Sequence, residues 1–270
     1  MATPLPTTAP PLPSPTIPHT QIHLRPGLPT DLPQCHAIFS HWVLQGASTM
    51  SHTVPTLREF SEEIEMCWTN NYPFIVAVYS GYEPDASSMK VGEKEKEKET
   101  ALVLGYLFTV PIFQEQGHRI QLVEQGTFIH PALRKSGIGS RLTALNLNLL
   151  KNPERYTHPV PLPSTSTSLC PNAAPVKAKY PELDPTTYHL FRGSILRKPG
   201  VMIRRTVIDE EGIGKGKSRF YEKFGFRQLD ILEGAGVKGG KKWDIKLWVL
   251  QLEEWDEVRA EFRGKAGAKL

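Results

Sequence analysis

The sequence predicts a mixed α/β domain with one sheet and helices on its faces. Two observations predict it. Strand-like and helix-like segments alternate from Gln21 onward, and two polar stretches interrupt that alternation without replacing it. With those stretches set aside the order reads βααβββαβαββ, an alternation that one layered domain accommodates. A chain of 270 residues is long enough to bury a substantial core.

The elements follow in order. Residues 1–20 are rich in Pro and Thr with almost no charge, so they offer little to bury and are expected to be a disordered leader. Gln21 to Arg25 alternates as a short strand, and Pro26, Gly27 and Pro29 mark a turn. Asp31 then opens a helix whose Leu32, Ile38, Phe39 and Val43 suit one buried face. Thr56 and Glu59 have the spacing of a capping box and begin a second helix through Phe60, Ile64 and Trp68. Phe74 to Tyr79 is a β-branched and aromatic strand. Residues 81–100, closing on the Lys/Glu run from Glu93 to Glu99, read as a solvated insertion.

Ala101 to Val110 and Leu122 to Ile129 are strands joined by a polar turn around Gln114 to Gly117. Gly137 to Lys151 is a helix with Leu142, Leu145, Leu149 and Leu150 inward. A second insertion, 152–199, is dense in Pro, Ser and Thr and too long to be an ordinary connection. Val201 to Ile208 is a strand, Ser218 to Phe224 a short helix, and Phe226 to Glu233 and Lys242 to Leu252 a final strand pair. The expected domain therefore spans 21–255, followed by a tail at 256–270.

Composition narrows the function classes. No apolar stretch approaches the ~18–20 residues that cross a bilayer, and the first residues lack the basic and apolar regions of a secretory signal. A cytoplasmic protein is expected, with nucleus and organelles left open. Cys35, Cys67 and Cys170 stand far apart without CxxC spacing, and the histidines are scattered, so neither a disulfide framework nor a metal site is expected. Lys217, Arg219, Lys223, Arg227, Lys238, Lys241 and Lys242 crowd into the 215–246 region. That patch is either a solvated surface or one that meets nucleic acid or the phosphates of a nucleotide-like cofactor, and neither nucleic acid nor a membrane is the expected partner.

Three glycine-bearing segments compete for the role of phosphate cradle. Gly216-Lys217-Ser218 imitates a nucleotide-binding P-loop, but Glu211 stands where its first glycine belongs and Gly212 is off by one. Gly234-Ala235-Gly236-Val237-Lys238-Gly239 matches the dinucleotide fingerprint by letter. It precedes a strand rather than a helix, so a glycine-rich hairpin connection is expected. Arg134-Lys135-Ser136-Gly137-Ile138-Gly139 lies after a strand and opens a helix, where unpaired N–H groups and two missing side chains let a pyrophosphate approach. Arg134 and Lys135 add charge.

This last segment fits the R/Q-x-x-G-x-G/A acetyl-CoA motif of the GCN5-related N-acetyltransferases (GNAT), and the chain resembles that superfamily. Leu24-Arg25-Pro26 with Asp31-Leu32-Pro33, Thr56 to Phe60, Tyr72-Pro73-Phe74, Val123-Glu124 ahead of His130-Pro131, Tyr221 to Phe226, and Trp243-Asp244 are similar in order to the phosphinothricin and methionine sulfoximine N-acetyltransferase branch. The resemblance covers most of 21–252 outside the insertions. It implies the GNAT fold: a central, mostly antiparallel mixed sheet with a splayed strand pair, flanked by helices.

The resemblance also implies a chemistry. Acetyl-CoA is the co-substrate, held by Thr127, Phe128 and Ile129 along the pantetheine arm and by Arg134, Lys135, Ser136, Gly137, Ile138, Gly139 and Ser140 at the pyrophosphate. Glu124 is the general base that takes the proton of a small-molecule amine, because an ammonium has no lone pair with which to attack. Tyr221 is the general acid that protonates the departing thiolate; the branch often has histidine there. Gln114 and Gln116 replace the branch's basic residues, which speaks against phosphinothricin itself, and an amino acid or analogue is the expected acceptor. Trp243-Asp244 either faces the acceptor or is a packed tryptophan beside a turn aspartate, and His130 is read as structural. Dimerisation through the last strands is a further implication. The competing readings are a protein N-terminal or lysine acetyltransferase, and a non-catalytic binding module that uses the basic 215–246 surface.

Overall fold

Seven strands form one sheet in the order β1-β2-β3-β4-β5-β7-β6. They are β1 (Ile22–Pro26), β2 (Phe74–Tyr79), β3 (Leu102–Pro111), β4 (Leu122–Ile129), β5 (Val201–Ile208), β6 (Arg227–Lys238) and β7 (Lys241–Gln251), with helices α1 (Leu32–Leu44), α2 (Leu57–Thr69), α3 (Ile138–Lys151) and α4 (Lys215–Lys223) between them. The structure is a computed structural model, and the residues described are 17, 21–44, 49, 51–70, 72–79, 101–112, 122–151, 201–208, 215–238 and 240–255. The two insertions, the tail, Gln114, Gln116, Cys170 and, apart from Ile17, the leader lie outside them.

Apolar patterning decides which face each helix covers. Along β2 and β3 nearly every residue is buried, as in a strand covered on both sides, so the sequence there runs apolar rather than alternating. Leu142, Leu145 and Leu149 of α3 pack on one face with Leu24, Ile75, Ala77, Leu104 and Leu107. Ile38 and Phe39 of α1 and Phe60 and Ile64 of α2 pack on the other with Val76, Val103, Tyr106 and Phe108. Each such side chain taken fully out of water contributes about 1.5–3 kcal/mol.

Local devices fix how the helices enter. Thr56 Oγ1 accepts from the Glu59 N–H at 3.2 Å while the Glu59 carboxylate accepts from the Thr56 N–H at 2.7 Å, so the expected capping box starts α2. Arg25, at the end of β1, donates two hydrogen bonds to Asp31 at 2.5 and 2.7 Å, and both residues are buried. The same carboxylate accepts from the Leu28 N–H at 2.8 Å, which locks the turn between β1 and α1. This pair is the physical content of the Arg25 and Asp31 positions noted above.

All strand neighbours are antiparallel except β4 and β5, which pair in parallel only through Leu122↔Val201, Val123↔Met202 and Glu124↔Ile203. Past Glu124 that ladder stops, although β4 runs on to Ile129 and β5 continues to Ile208 against β7. The two strands part, and the gap between them is where the functional groups gather.

The far end corrects one expectation. Gly234 to Lys238 is not a hairpin connection but the continuation of β6, with a register shift between Leu232 and Gly236. Gly234 takes a left-handed φ of 57°, which lets two extra residues bulge out without breaking the strand. The other departure is smaller: α4 begins at Lys215, so Gly216 and Lys217 lie in its first turn rather than ahead of it.

Candidate active site

The loop between β4 and α3 is built from backbone conformations that few residues adopt. Lys135 and Gly137 have φ of 64° and 86°. The Ser136 N–H donates to the Leu133 carbonyl at 3.2 Å, and the ladder of α3 begins with the Arg141 N–H on the Gly137 carbonyl at 3.1 Å. The N–H groups of Gly139 and Ser140 thus precede the first helical bond and point out of the helix start. At Gly139 an added Cβ would lie 3.8 Å from Ile129 and 3.9 Å from Phe220, ordinary contact distances. The protein itself has room for alanine there, so what the glycine keeps open is an approach from outside the chain, as a phosphate would need.

A cavity of about 400 Å³ lies over this loop. It is lined by Thr127, Phe128 and Ile129 of β4, by Arg134 to Gly137, Gly139 and Ser140, and by Tyr221. All the expected cofactor-facing residues are there except Ile138, whose fully buried side chain belongs to the core under α3. Trp42 of α1, which sequence reasoning missed, also lines it. Its indole N–H donates to the Ile129 carbonyl at 2.8 Å, and the Arg134 guanidinium lies 5.5 Å from its ring centroid. The loop is thereby stapled to the opposite face of the sheet.

Beneath the loop a buried polar network fixes α3 against the sheet. Gln125 donates to Thr127 Oγ1 at 2.9 Å and accepts from Asn146 at 3.1 Å, and Asn146 in turn accepts from Thr109 at 3.1 Å. Each of these groups is satisfied inside the protein, which makes the network a rigid register rather than a liability. His130, the cap of the following short turn, accepts from the Ala132 N–H at 3.3 Å and is buried, a structural role.

Tyr221 on α4 packs against Phe220, Phe226 and Trp248 and is only 5% exposed, yet it lines the cavity. Arg204 of β5 donates to the Tyr221 hydroxyl from Nε at 3.0 Å and to the Gln125 carbonyl from Nη1. With its oxygen occupied as an acceptor, the Tyr221 hydroxyl has its own proton left to donate. Arg204 had no signature in the sequence.

Glu124 lies elsewhere. It lines a second cavity of about 260 Å³ with Phe39, Glu63, Phe108, Val110, Gly126 and Phe128. The two cavities share Phe128, Arg204 and Arg205, so they meet at the parting of β4 and β5. The Glu124 carboxylate is held by Arg205 through both Nε, at 2.9 Å, and Nη2, with 18% of its side chain exposed. That bond raises the Arg205 pKa above its ordinary value. Gly126 is required here for a packing reason: a Cβ would fall 2.3 Å from the Phe108 ring, which forms the cavity wall. Arg205, Gly126 and Glu63 are further residues that sequence reasoning did not single out.

Trp243 and Asp244 line neither cavity. Trp243 donates to the Lys238 carbonyl at 3.2 Å and Asp244 accepts from the Gly234 N–H at 2.9 Å, so they secure the β6 bulge. Within the basic region, Lys238 is committed too. Its ammonium donates to the carbonyls of Val43 and Thr49 at 2.9 and 3.0 Å, and burial lowers its pKa. The side chain of Lys217 lies outside the described ones.

No protein-family model matches the sequence and no curated protein matches it. Solved structures do match. A GNAT superfamily phosphinothricin acetyltransferase from Sinorhizobium meliloti, solved with acetyl-CoA, is 18% identical with a TM-score of 0.55 and alignment over 86% of this chain and 88% of that one. The yncA protein of Salmonella typhimurium, solved with its cofactor acetyl-CoA, is 18% identical with a TM-score of 0.54 over 87% and 95%. A ribosomal-protein-alanine N-acetyltransferase from Brucella melitensis is 17% identical with a TM-score of 0.53 over 84% and 98%. The chain has the fold of the GCN5-related N-acetyltransferases. Among the described residues no helix is long and apolar enough to cross a membrane.

Proposed function

We propose that the protein is an N-acetyltransferase that moves the acetyl group of acetyl-CoA to the primary amine of a small molecule, an amino acid or analogue. One observation carries this reading: a glycine-lined helix start and a cavity bearing Tyr221 adjoin, at the parting of two strands, a second cavity bearing Glu124. A phosphate cradle and an acid thus meet a base across one seam. Two of the solved structures it resembles contain acetyl-CoA.

The residues divide the work by position. The N–H groups of Gly139 and Ser140, with Arg134 and Lys135, hold the pyrophosphate, and Thr127, Phe128 and Ile129 lie along the arm. Phe128 faces Tyr106 in the β3 ladder and the Ile129 carbonyl is already taken by Trp42, so the arm has the Thr127 carbonyl and the N–H groups of Thr127 and Ile129 to pair with. Acetyl-CoA supplies a thioester, an activated acyl group with a good leaving sulfur. Glu124 receives the ammonium proton, and Arg205 keeps its carboxylate oriented. The amine nitrogen bonds to the carbonyl carbon, the C–S bond breaks, and Tyr221 gives its proton to the sulfur. The Arg204 cation beside that hydroxyl stabilises negative charge at the same place.

The test is to titrate acetyl-CoA by calorimetry and then follow thiol release with free amino acids, methionine sulfone, methionine sulfoximine, phosphinothricin, a polyamine and a peptide with a free N-terminus. Cys35 and Cys67 are buried, and burial pushes the Cys35 thiol well up and that of Cys67 to about 12, so neither contributes to the signal. Binding with thiol release on a small amine, abolished in Glu124→Gln, is the expected result. Release on the peptide alone would favour the protein-acetylating reading, to which the ribosomal-protein-alanine N-acetyltransferase belongs. Absence of acetyl-CoA binding would overturn the enzyme and leave a non-catalytic module.

A further inference from the structure

We infer that Glu63 of α2 anchors the acceptor's ammonium, and that within the proposed class the acceptor is an analogue without the amino-acid carboxylate, a cationic amine with an apolar body. This rests on the acetyltransferase reading for its purpose but on different atoms. Of the charged groups in the second cavity, Glu124 and Arg205 neutralise one another in a two-bond pair. Arg204 is turned toward the seam, where it holds Tyr221 and the Gln125 carbonyl. Glu63 is left as the acid that forms no hydrogen bond or ion pair with any described residue.

Its position follows from helix geometry. Glu63 lies three residues after Phe60 and four before Cys67, both buried, so it projects at the exposed edge of the apolar face of α2. Glu63 is open to solvent through the mouth of the cavity, but the surrounding walls strip part of its hydration. That desolvation, and then the negative charge of Glu124, raise its pKa above the usual glutamate value. A cation entering the cavity relieves both effects, whereas an anion worsens them. Beside the hydroxyl groups of Thr49 and Ser51, the described lining includes Phe39, Phe108, Val110, Phe128 and Ile245, which suit an apolar or aromatic body, and the volume of about 260 Å³ limits it to a small one. Glu63 then holds the nitrogen while Glu124 takes its proton.

The experiment compares binding of 2-phenylethylamine with that of its anionic counterpart 3-phenylpropionate by calorimetry. The wild type, Glu63→Gln and Glu63→Asp are used, each saturated with desulfo-CoA as a non-reacting cofactor. The wild type is expected to favour the amine by at least about tenfold, Glu63→Gln to lose that preference, and Glu63→Asp to keep most of it. In turnover with 2-phenylethylamine, Glu63→Gln should raise the amine KM with little change in kcat, whereas Glu124→Gln should lower kcat. The melting temperature of Glu63→Gln should not fall, since an unfavourable charge has been removed. Equal binding of the two probes by the wild type, no binding of the amine, or an unchanged preference in Glu63→Gln overturns the inference. Failure of the wild type to bind acetyl-CoA overturns the enzyme reading instead, and the same probe comparison run without cofactor still decides the role of Glu63.

Discussion

β3 and β6 are strands of similar length with opposite surroundings. The first eight residues of β3 are buried under helices on both faces, whereas in β6 most residues are exposed and Leu229 shows 63% of its surface. Burial on both faces makes β1 to β4 a frame in which each side chain has one place. In the β6–β7 ribbon, β6 is instead held by its backbone ladder to β7, whose Trp248 and Leu250 are buried against Tyr221, Phe224 and Phe226, and by contacts such as that of Lys238 on α1. The candidate site lies where these two kinds of structure meet, with its cradle on the frame and its two arginines on β5, the strand that joins the ribbon.

The contrast can be broken most severely at Asp31. Asp31→Ala leaves the buried Arg25 guanidinium unpaired and should cost about 3–5 kcal/mol in urea unfolding. Gly139→Ala sharpens it, because the frame tolerates the methyl but a phosphate would not. Acetyl-CoA affinity should fall by about tenfold or more, ~1.4 kcal/mol, with the melting temperature unchanged. On the β5 side, Arg204→Met should lower kcat by roughly tenfold while acetyl-CoA KM changes less, since Tyr221 loses its fixed orientation rather than its packing; Arg204→Lys should restore part of it.

A smaller effect is expected at the α2 cap. Thr56→Ala should cost about 1 kcal/mol at neutral pH. The Thr56 N–H and hydroxyl bonds hold the Glu59 carboxyl below its ordinary pKa. That contribution is present above the usual glutamate range and lost as pH falls through the lowered value, so the difference between wild type and variant should narrow in acid. Least of all should come from the ribbon: Leu232→Ser, at an exposed position, should change stability by no more than about 0.5 kcal/mol. A large loss there would mean that β6 is covered by something else.

The same division governs what was legible in the sequence. β2, β4 and β5 begin and end at the residues indicated by their runs of strand-forming side chains, with Pro73 and Gly200 standing just ahead of β2 and β5. β6 was cut short because its glycines read as a connection, and only the ladder with β7 reveals Gly234 as a bulge. The Arg134 to Gly139 loop was legible because its chemistry is local to six residues. Its partners are not local. Trp42 reaches Ile129 across 87 positions and Arg205 reaches Glu124 across 81, and no spacing rule links such pairs. Glu63 did leave a trace, an acid in line with Phe60 and Cys67 on an otherwise apolar stripe.

The bond from Arg204 to the Gln125 carbonyl has a mechanical side. Gln125 is the first residue of β4 beyond the last parallel pair, so its carbonyl is where the ladder to β5 would add its next rung. The guanidinium occupies that rung and works as a doorstop. Two strands that would otherwise zip together are kept ajar at a width set by one side chain, and the gap between the two cavities is as wide as that side chain holds it.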